Sequence, residues 1–247
     1  MMVERKWLMS LLIYGRNTCL EVLKTQRKIF NAFIMEDSNQ DIFHHVKRHQ
    51  IPYEIMSKHD FKKKFLGNHQ GVILEVDDYK IYELNEFLDT LDLKTNPFLI
   101  MLDQITDDHN LGAIIRSCEA GGVQGVIIPK NRSAKISGTV AKISSGAIEH
   151  VNIIEVTNLS NAIKILKDSG FWTVGTDLNT DKSYQDIIVD VPLCLVIGSE
   201  GKGISRIVKS NVDYNVKIDM VGKINSLNAS VSAGILIFDI LRRKTMK

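Results

Sequence analysis

The sequence has little of what builds disulfide frameworks or membrane spans. Its three cysteines, Cys19, Cys118 and Cys194, are odd in number and widely spaced, and they form no CxxC pair. This pattern favours reduced, buried thiols in a cytoplasmic protein. No apolar run reaches membrane-spanning length, so no membrane partner is expected. The run from Trp7 to Tyr14 is followed by no small-residue cleavage site, and it predicts a buried strand in place of a signal peptide.

A large excess of one charge is also missing. The net charge is +2 over 247 residues, with a pI near 8.3, values that neither indicate nor exclude binding to nucleic acids. The charges are unevenly spread, since residues 1–75 carry 12 Lys/Arg against 8 Asp/Glu and residues 76–97 carry 2 against 6. A basic N-terminal third followed by an acidic segment permits nucleic-acid binding without requiring it.

Alternating apolar runs and helical patterns fill the chain. Residues 1–76 predict a small α/β/α domain, and the acidic segment 77–96 predicts a linker with an amphipathic helix over Tyr82–Leu91. Over 97–247, near-continuous apolar strands alternate with helices, which predicts a mostly parallel sheet covered on both faces. Its expected strands are Phe98–Leu102, Gly125–Ile128, Val151–Val156, Trp172–Thr176, Leu193–Ile197 and Val216–Met220.

Three loops follow strands of this sheet, where ligands of parallel α/β proteins collect. In the first, Asn110 is placed to cap the next helix, and Arg116 suits a phosphate or forms a weak surface ion pair. The second, Gly198–Gly203, has the order G-x-x-G-x-G, which differs from the dinucleotide motif. Its single carboxylate, Glu200, indicates a positioning role, although a plain tight turn is the alternative.

The third loop runs from Gly222 to Asn228 and opens a helix predicted over Asn228–Arg243. Either Ser226 or Asn228 is a good cap for that helix. Its residues are apolar almost all round, so we expect burial on more than one side. An ordinary strand-turn-helix in an α/β core is the alternative to a ligand-binding turn.

Together the loops carry a specific set of motifs: NLGAIIRS from Asn110, IGSEGKGIS from Ile197, and IDM followed by SLNASVSAGI from Ser226. This set resembles the SpoU branch of the SPOUT RNA methyltransferases. YGRNTCLEVLK from Tyr14 and HQGVILEV from His69 resemble the family's L30e-like substrate-binding domain. The resemblance covers nearly the full length and is strongest to the bacterial large-subunit rRNA guanosine 2′-O-methyltransferases.

The resemblance implies an α/β methyltransferase domain over 97–247 with a C-terminal trefoil knot, after an RNA-binding domain over 1–76. It also implies a homodimer formed through the C-terminal helix region. S-adenosyl-L-methionine would lie in the knot, held largely by main-chain groups. The residues that match its binding positions are Ile197, Gly198, Ser199, Gly201, Gly203, Ile218 and Leu227.

The family's functional polar residues correspond to Asn110, Arg116, Glu200, Ser226 and Asn228. No metal is expected, because the methyl donor is already charged. The family mechanism assigns activation of the 2′-hydroxyl to the residue matching Arg116. Because arginine is essentially always protonated, stabilisation of the developing alkoxide and positioning of a phosphate suit it better.

Two positions depart from the family pattern. Asp108 and Asp219 each stand where the family usually has proline, which frees the backbone and adds a charge. Neither change touches the five polar residues, but both put the rigidity of their loops in doubt.

Basic clusters lie outside the three motifs. His45 and His49 are four residues apart, but no Cys or carboxylate completes a metal-ligand set, so a solvated helix face is favoured. Lys130, Arg132 and Lys135 follow a predicted strand and are better candidates for contact with RNA phosphates.

The sequence therefore predicts S-adenosylmethionine-dependent 2′-O-methylation of a ribose, that of a guanosine, in 23S rRNA. A tRNA guanosine 2′-O-methyltransferase of the same family is one alternative. An RNA-binding ribosome-assembly factor without catalytic activity is another, which the intact polar residues argue against.

Overall fold

A computed structural model of the chain describes residues 10–223 and 226–246. Of the buried strand expected over Trp7–Tyr14, residues 7–9 lie outside these ranges; residues 10–14 form a strand, but only Ile13 in it is buried. The strands are β1 Ser10–Tyr14, β2 Ile29–Met35, β3 Tyr53–Met56, β4 Val72–Asp77, β5 Ile81–Tyr82, β6 Phe98–Asp103, β7 Gly125–Pro129, β8 Asn152–Val156, β9 Trp172–Thr176, β10 Leu193–Gly198 and β11 Tyr214–Val216. The helices are α1 Arg16–Lys24, α2 Gln40–Arg48, α3 Lys58–Lys64, α4 Leu84–Leu88, α5 Asp108–Ala120, α6 Gly138–Ile143, α7 Leu159–Asp168, α8 Arg206–Asn211 and α9 Ala229–Thr245.

Contacts divide the described chain into two compact units. The N-terminal unit consists of residues 10–79 and 135–150, and the sheet unit consists of 80–134, 151–223 and 226–246. Within the described ranges, no helix combines the length and the apolar character needed to cross a bilayer.

The N-terminal unit is built on a four-stranded sheet with the order β1-β4-β2-β3. Strand β4 is antiparallel to both β1 and β2, while β2 and β3 are parallel. Helices α1 and α2 bury apolar residues such as Val22 and Ile42 against it, as the alternating pattern predicts.

Residues 135–150 group with the N-terminal unit, although the sequence placed them within the 97–247 domain. Helix α6 can approach β1 because Gly138 has no side chain: a Cβ there would lie 2.2 Å from the Leu12 carbonyl oxygen. The nearly buried Glu149 carboxylate accepts hydrogen bonds from Arg27 and from the Tyr79 hydroxyl, both at 2.7 Å. Contacts of this kind, distant in sequence, leave no local pattern to predict them.

The sheet unit contains a seven-stranded sheet with the order β11-β9-β10-β6-β7-β8-β5, in which every adjacent pair is parallel. The prediction of a mostly parallel sheet is therefore confirmed. All residues of the central strands β6 and β10 are buried, as expected for a sheet covered on both faces. Gly198 at the end of β10 pairs with Asp103 at the end of β6, so the loops after these strands begin side by side.

Two sequence-based boundaries were wrong. The linker helix predicted over Tyr82–Leu91 is shorter: α4 covers only Leu84–Leu88, and Tyr82 belongs to the edge strand β5, which pairs with β8. The last strand, predicted over Val216–Met220, is Tyr214–Val216, because it pairs with β9 and only Lys217 continues in an isolated bridge.

Helix α9 packs along α5 on one side. Gly121, the residue that follows α5, makes room for α9, since a Cβ there would lie 2.2 Å from a methyl carbon of Ile237. The other side of α9 exposes Val231, Ile235 and Phe238, each 37–48% accessible. The expected burial on more than one side is therefore not met within a single chain.

Candidate active site

The loop after β10 is a tight, glycine-dependent turn. Ser199 and Gly203 exchange two backbone hydrogen bonds, of 3.1 and 2.8 Å. Gly201 and Gly203 have φ values of +76° and +65°, which glycine adopts without strain. A Cβ at Gly198 would lie 2.0 Å from the Gly203 carbonyl carbon, so the loop folds directly back over the strand end.

Asn228 caps α9 and is therefore the correct one of the two cap candidates, Ser226 and Asn228. Its side-chain oxygen accepts hydrogen bonds from the backbone N–H groups of Ser230 and Val231, at 2.9 and 3.4 Å. Ser226 lies two residues earlier with an exposed side chain and does not serve as the cap. Because the side-chain oxygen points to these N–H groups, the Asn228 amide nitrogen points the other way and can donate hydrogen bonds elsewhere.

That amide nitrogen joins three of the predicted polar residues in one cluster. It donates to the Asn110 side-chain oxygen at 2.9 Å and to a Glu200 carboxylate oxygen at 2.5 Å. The first, second and third loops therefore meet at a single side chain. We call Asn110, Glu200 and Asn228 the polar cluster.

The first loop differs from the prediction in one respect. Asp107, not Asn110, caps α5: its carboxylate accepts from the N–H groups of His109 and Asn110, at 2.6 and 3.2 Å. Asn110 lies in the first helical turn, and its side chain is thereby directed to Asn228. Arg116 lies six residues further along α5 with an exposed side chain, and it is not among the described residues that line the cavity described next.

A cavity of about 630 Å³ lies between the second and third loops. Its wall includes every residue that the resemblance matched to cofactor binding, together with Glu200 and Ser226. These wall residues are Ile197, Gly198, Ser199, Gly201, Gly203, Ile218 and Leu227. Ile218 and Leu227 are partly buried side chains, while the glycine loop offers main-chain donors and acceptors. A cavity with apolar walls and a few fixed polar groups suits a small organic ligand.

Sequence reasoning missed a further wall, formed by Thr176, Asp177 and Leu178 after β9. The Asp177 carboxylate forms an ion pair with Lys209 of α8 and accepts from the Asn179 N–H at 3.2 Å. Because β9 is the parallel neighbour of β10, its carboxyl end lies at the same edge of the sheet. The rule that ligands collect at such edges was the signal that could have found these residues.

Asp219, one of the two departures from the family pattern, has a visible partner. Its carboxylate accepts a hydrogen bond from the Ser183 hydroxyl at 2.9 Å, and Lys217 pairs with the backbone of the same serine. These bonds restrain the segment after β11. They substitute for the rigidity that a proline would supply. Among the described residues, no group of three or more His, Cys, Asp or Glu side chains could hold a metal ion.

Comparisons with known proteins agree with this geometry. Residues 97–238 match the SpoU rRNA Methylase family, and residues 12–82 match the family described as RNA 2′-O ribose methyltransferase substrate binding. A Bacillus subtilis (strain 168) relative, named for the TrmH family of tRNA/rRNA methyltransferases, is 38% identical over 237 residues. That alignment covers 94% of this chain and 95% of the relative.

Solved structures share the fold. The SpoU methyltransferase AviRb from Streptomyces viridochromogenes, in complex with the cofactor AdoMet, superposes with a TM-score of 0.83 at 19% identity, covering 96% of this chain and 92% of that one. The A. aeolicus TrmH/SpoU tRNA modifying enzyme superposes with a TM-score of 0.56 at 27% identity. The superposition covers 66% of this chain and 83% of the A. aeolicus chain.

Proposed function

Because this chain belongs to the SpoU methylase family of RNA methyltransferases, we propose that it methylates a ribose 2′-hydroxyl, that of a guanosine, in 23S rRNA, with S-adenosyl-L-methionine as donor. The observation that carries the proposal is the meeting of a glycine-walled cavity with the polar cluster at one sheet edge. The first can hold a nucleoside-like donor, and the second supplies fixed amide and carboxylate groups beside it.

The residues present fit this cofactor. Ile218 and Leu227 offer apolar surface to an adenine ring. Glu200 and Gly201, inside the turn that Ser199 and Gly203 close, offer main-chain groups to its polar edge. The close approach of Gly198 to Gly203 leaves no room for a side chain between strand and loop. When bound, the cofactor supplies an electrophilic sulfonium methyl group.

The chain's own task is to orient the acceptor and favour its alkoxide, while the proton that the 2′-hydroxyl loses would pass to solvent water. Asn228 holds Asn110 and Glu200 in one geometry, so that the acceptor meets groups already in position and no reorganisation is needed. Arg116 contributes its exposed guanidinium to the RNA, stabilising negative charge on the sugar oxygen and an adjoining phosphate. Ser226 shapes the cavity wall.

Two observations favour rRNA over tRNA as substrate. Residues 12–82, nearly all in the N-terminal unit, match the substrate-binding family, and the tRNA modifying enzyme from A. aeolicus covers only 66% of this chain. An additional domain suits a large, structured RNA whose shape has to be recognised beyond the target nucleotide.

We further infer a homodimer through α9. Val231, Ile235 and Phe238 recur at helical spacing and form an exposed apolar stripe. A second copy of the chain that covers this stripe would bury the exposed side of α9. Family membership also implies the trefoil knot around the cofactor and a cytoplasmic location, where the RNA substrate is found.

Methyl transfer to separated RNA fractions tests the proposed function. The protein is incubated with labelled donor and with purified 23S rRNA or bulk tRNA from cells that lack it, and the modified nucleotide is mapped by primer extension at low dNTP. We expect one 2′-O-methyl guanosine in 23S rRNA. Label confined to tRNA would replace the rRNA assignment, and label in neither fraction would contradict the activity.

A further inference from the structure

A second depression lies on the same edge of the sheet unit, at the carboxyl ends of β6, β7 and β8. It measures about 740 Å³ and is open to solvent on one side. Its lining includes the polar residues Gln104, Asn131, Arg132, Thr157 and Ser160 among apolar ones such as Leu159 and Ile207. We call it the strand-end groove. Its place at the ends of parallel strands is where α/β sheets bind ligands.

Arg132 is the cation of this groove. Across residues 10–223 and 226–246, no hydrogen bond, ion pair or ring contact engages its exposed guanidinium. Its backbone has a φ of +59°, and so has that of Gln104 across the groove, an uncommon conformation for residues other than glycine. A planar fork of five donors with no partner among the described residues is suited to a phosphate.

The groove adjoins the donor cavity through the glycine loop. The Asp103 carboxylate, only 4% exposed, accepts from the Ser205 N–H at 2.6 Å and so ties the end of the loop to the end of β6. Ser199, Glu200, Gly201 and Gly203 line the donor cavity, whereas Ser205 and Ile207 line the groove. Because Asp103 is buried and hydrogen-bonded, a bound anion is expected at the Arg132 end of the groove, away from this carboxylate.

We propose that the strand-end groove binds the nucleotide that adjoins the methyl acceptor in the RNA chain, with its phosphate against Arg132. This rests on the proposed function, in which RNA is the substrate. Amide and hydroxyl groups of Asn131, Thr157 and Ser160 then face the base or sugar of that nucleotide. RNA-binding proteins read unstacked nucleotides through such groups, while phosphate contacts fix the register of the chain.

Binding of a 23S rRNA transcript, measured by filter retention over a series of salt concentrations, tests the proposal without requiring turnover. Arg132→Ala is expected to weaken binding about tenfold and to reduce the salt slope by about 1, as for the loss of one phosphate contact. Arg132→Lys is expected to keep most of the affinity. Lys164→Ala removes an exposed cation of α7 outside the groove and should behave as the parent. Calorimetric titration with S-adenosylhomocysteine should be the same in all variants, which shows that the donor cavity is intact.

Photocrosslinking identifies which peptides of the protein contact the RNA. A transcript containing 4-thiouridine should crosslink to peptides that contain residues 129–133 or 157–160. Equal affinity and salt slope for Arg132→Ala, Lys164→Ala and the parent would overturn the proposal, as would crosslinks confined to other peptides. If the parent binds the transcript but transfers no methyl group, the catalytic proposal fails, whereas weakened binding by Arg132→Ala still supports the groove. A parent that does not bind the transcript contradicts both.

Discussion

At the scale of single residues, Asn228 combines a structural and a functional task. Its oxygen caps α9, while its amide nitrogen holds Asn110 and Glu200. Loss of the whole side chain would cost about 1 kcal/mol of stability as a lost cap and would also release the polar cluster, so a truncation to alanine confuses the two effects.

Asn228→Ser separates the two tasks. Serine is also a good cap, so the free energy of unfolding should change by less than about 1 kcal/mol. The amide donor is lost, and kcat should fall by about 100-fold, the size of effect seen when one preorganised donor is removed. Urea unfolding and single-turnover methyl transfer measure the two quantities. A variant that methylates at the parental rate would show that the polar cluster plays no part in the chemistry.

Arg116 is assigned to the acceptor and not to the donor. Arg116→Ala should abolish measurable turnover and leave the Kd for S-adenosylhomocysteine near the parental value, because the residue does not line the donor cavity. Arg116→Lys keeps the charge but not the planar fork, and it should restore part of the rate. Turnover by the alanine variant at the parental rate would remove Arg116 from the mechanism.

His69 makes stability depend on pH. It is 8% exposed, and its Nδ1 accepts from the Gly71 N–H at 3.1 Å. Burial, followed by the charges of Lys142 and Lys62, lowers the pKa of His69 below its ordinary value of 6.5. Between the lowered pKa and pH 6.5, the unfolded chain therefore binds a proton at His69 more readily than the folded chain does. The resulting stability is present above pH 6.5 and is lost as the pH falls towards the lowered value.

Denaturant unfolding on both sides of pH 6.5 tests this coupling. His69→Gln should flatten part of the acid-side decline in the free energy of unfolding. A residual slope is expected from His45, whose pKa is also lowered, chiefly by burial. An unchanged slope in His69→Gln would contradict the assignment.

Single residues also show where sequence patterns stop being informative. The capping role of Asn228 could be predicted, because a cap and its helix are adjacent in sequence. At the start of α5, three residues that can cap helices, Asp107, Asp108 and Asn110, compete, and which one wins depends on the direction of the incoming chain. Asp177 reaches the cavity only through the pairing of β9 with β10, which no local motif records.

At the scale of elements, the glycine loop depends on a close backbone approach. Gly198→Ala would place a methyl group 2.0 Å from the Gly203 carbonyl carbon, so the loop has to move away from the strand end. We expect the affinity for S-adenosylhomocysteine to fall more than about tenfold, as for a misplaced binding loop. Gly234→Ala in α9 is the matched control, because among the described atoms outside its own helix a Cβ there meets only the Ser117 hydroxyl oxygen, at an ordinary contact distance of 3.8 Å, and Gly234 does not line the cavity. Equal calorimetric affinities in both variants would show that the loop does not hold the donor.

The strands of the parallel sheet could be predicted because buried strands are continuous apolar runs. Short elements could not: α3 is dominated by lysines and buries a single residue, Phe61, so it carries little periodicity. Strand β5 has two residues, and its partner β8 lies about 70 positions away in the sequence. Elements of this kind form because of tertiary contacts, and their own sequences indicate them only weakly.

At the scale of the whole molecule, the exposed stripe of α9 predicts the oligomeric state. Phe238→Glu places a charge on the stripe, and light scattering should show a shift from two chains to one at micromolar concentration. Leu66→Glu changes an equally apolar, 93% exposed residue of the N-terminal unit and should leave the mass unchanged. A parent protein with the mass of one chain would contradict the inferred dimer.

The nature of the methylated atom tests the central claim most directly. Labelled S-adenosylmethionine is incubated with 23S rRNA and the parent protein or Asn228→Ser, and the RNA is digested to nucleosides that are separated and analysed by mass spectrometry. We predict label on the ribose of guanosine with the parent and a strongly reduced amount with the variant. Label on a base, or an equal amount with both proteins, would contradict an account in which the polar cluster presents a sugar hydroxyl to the donor.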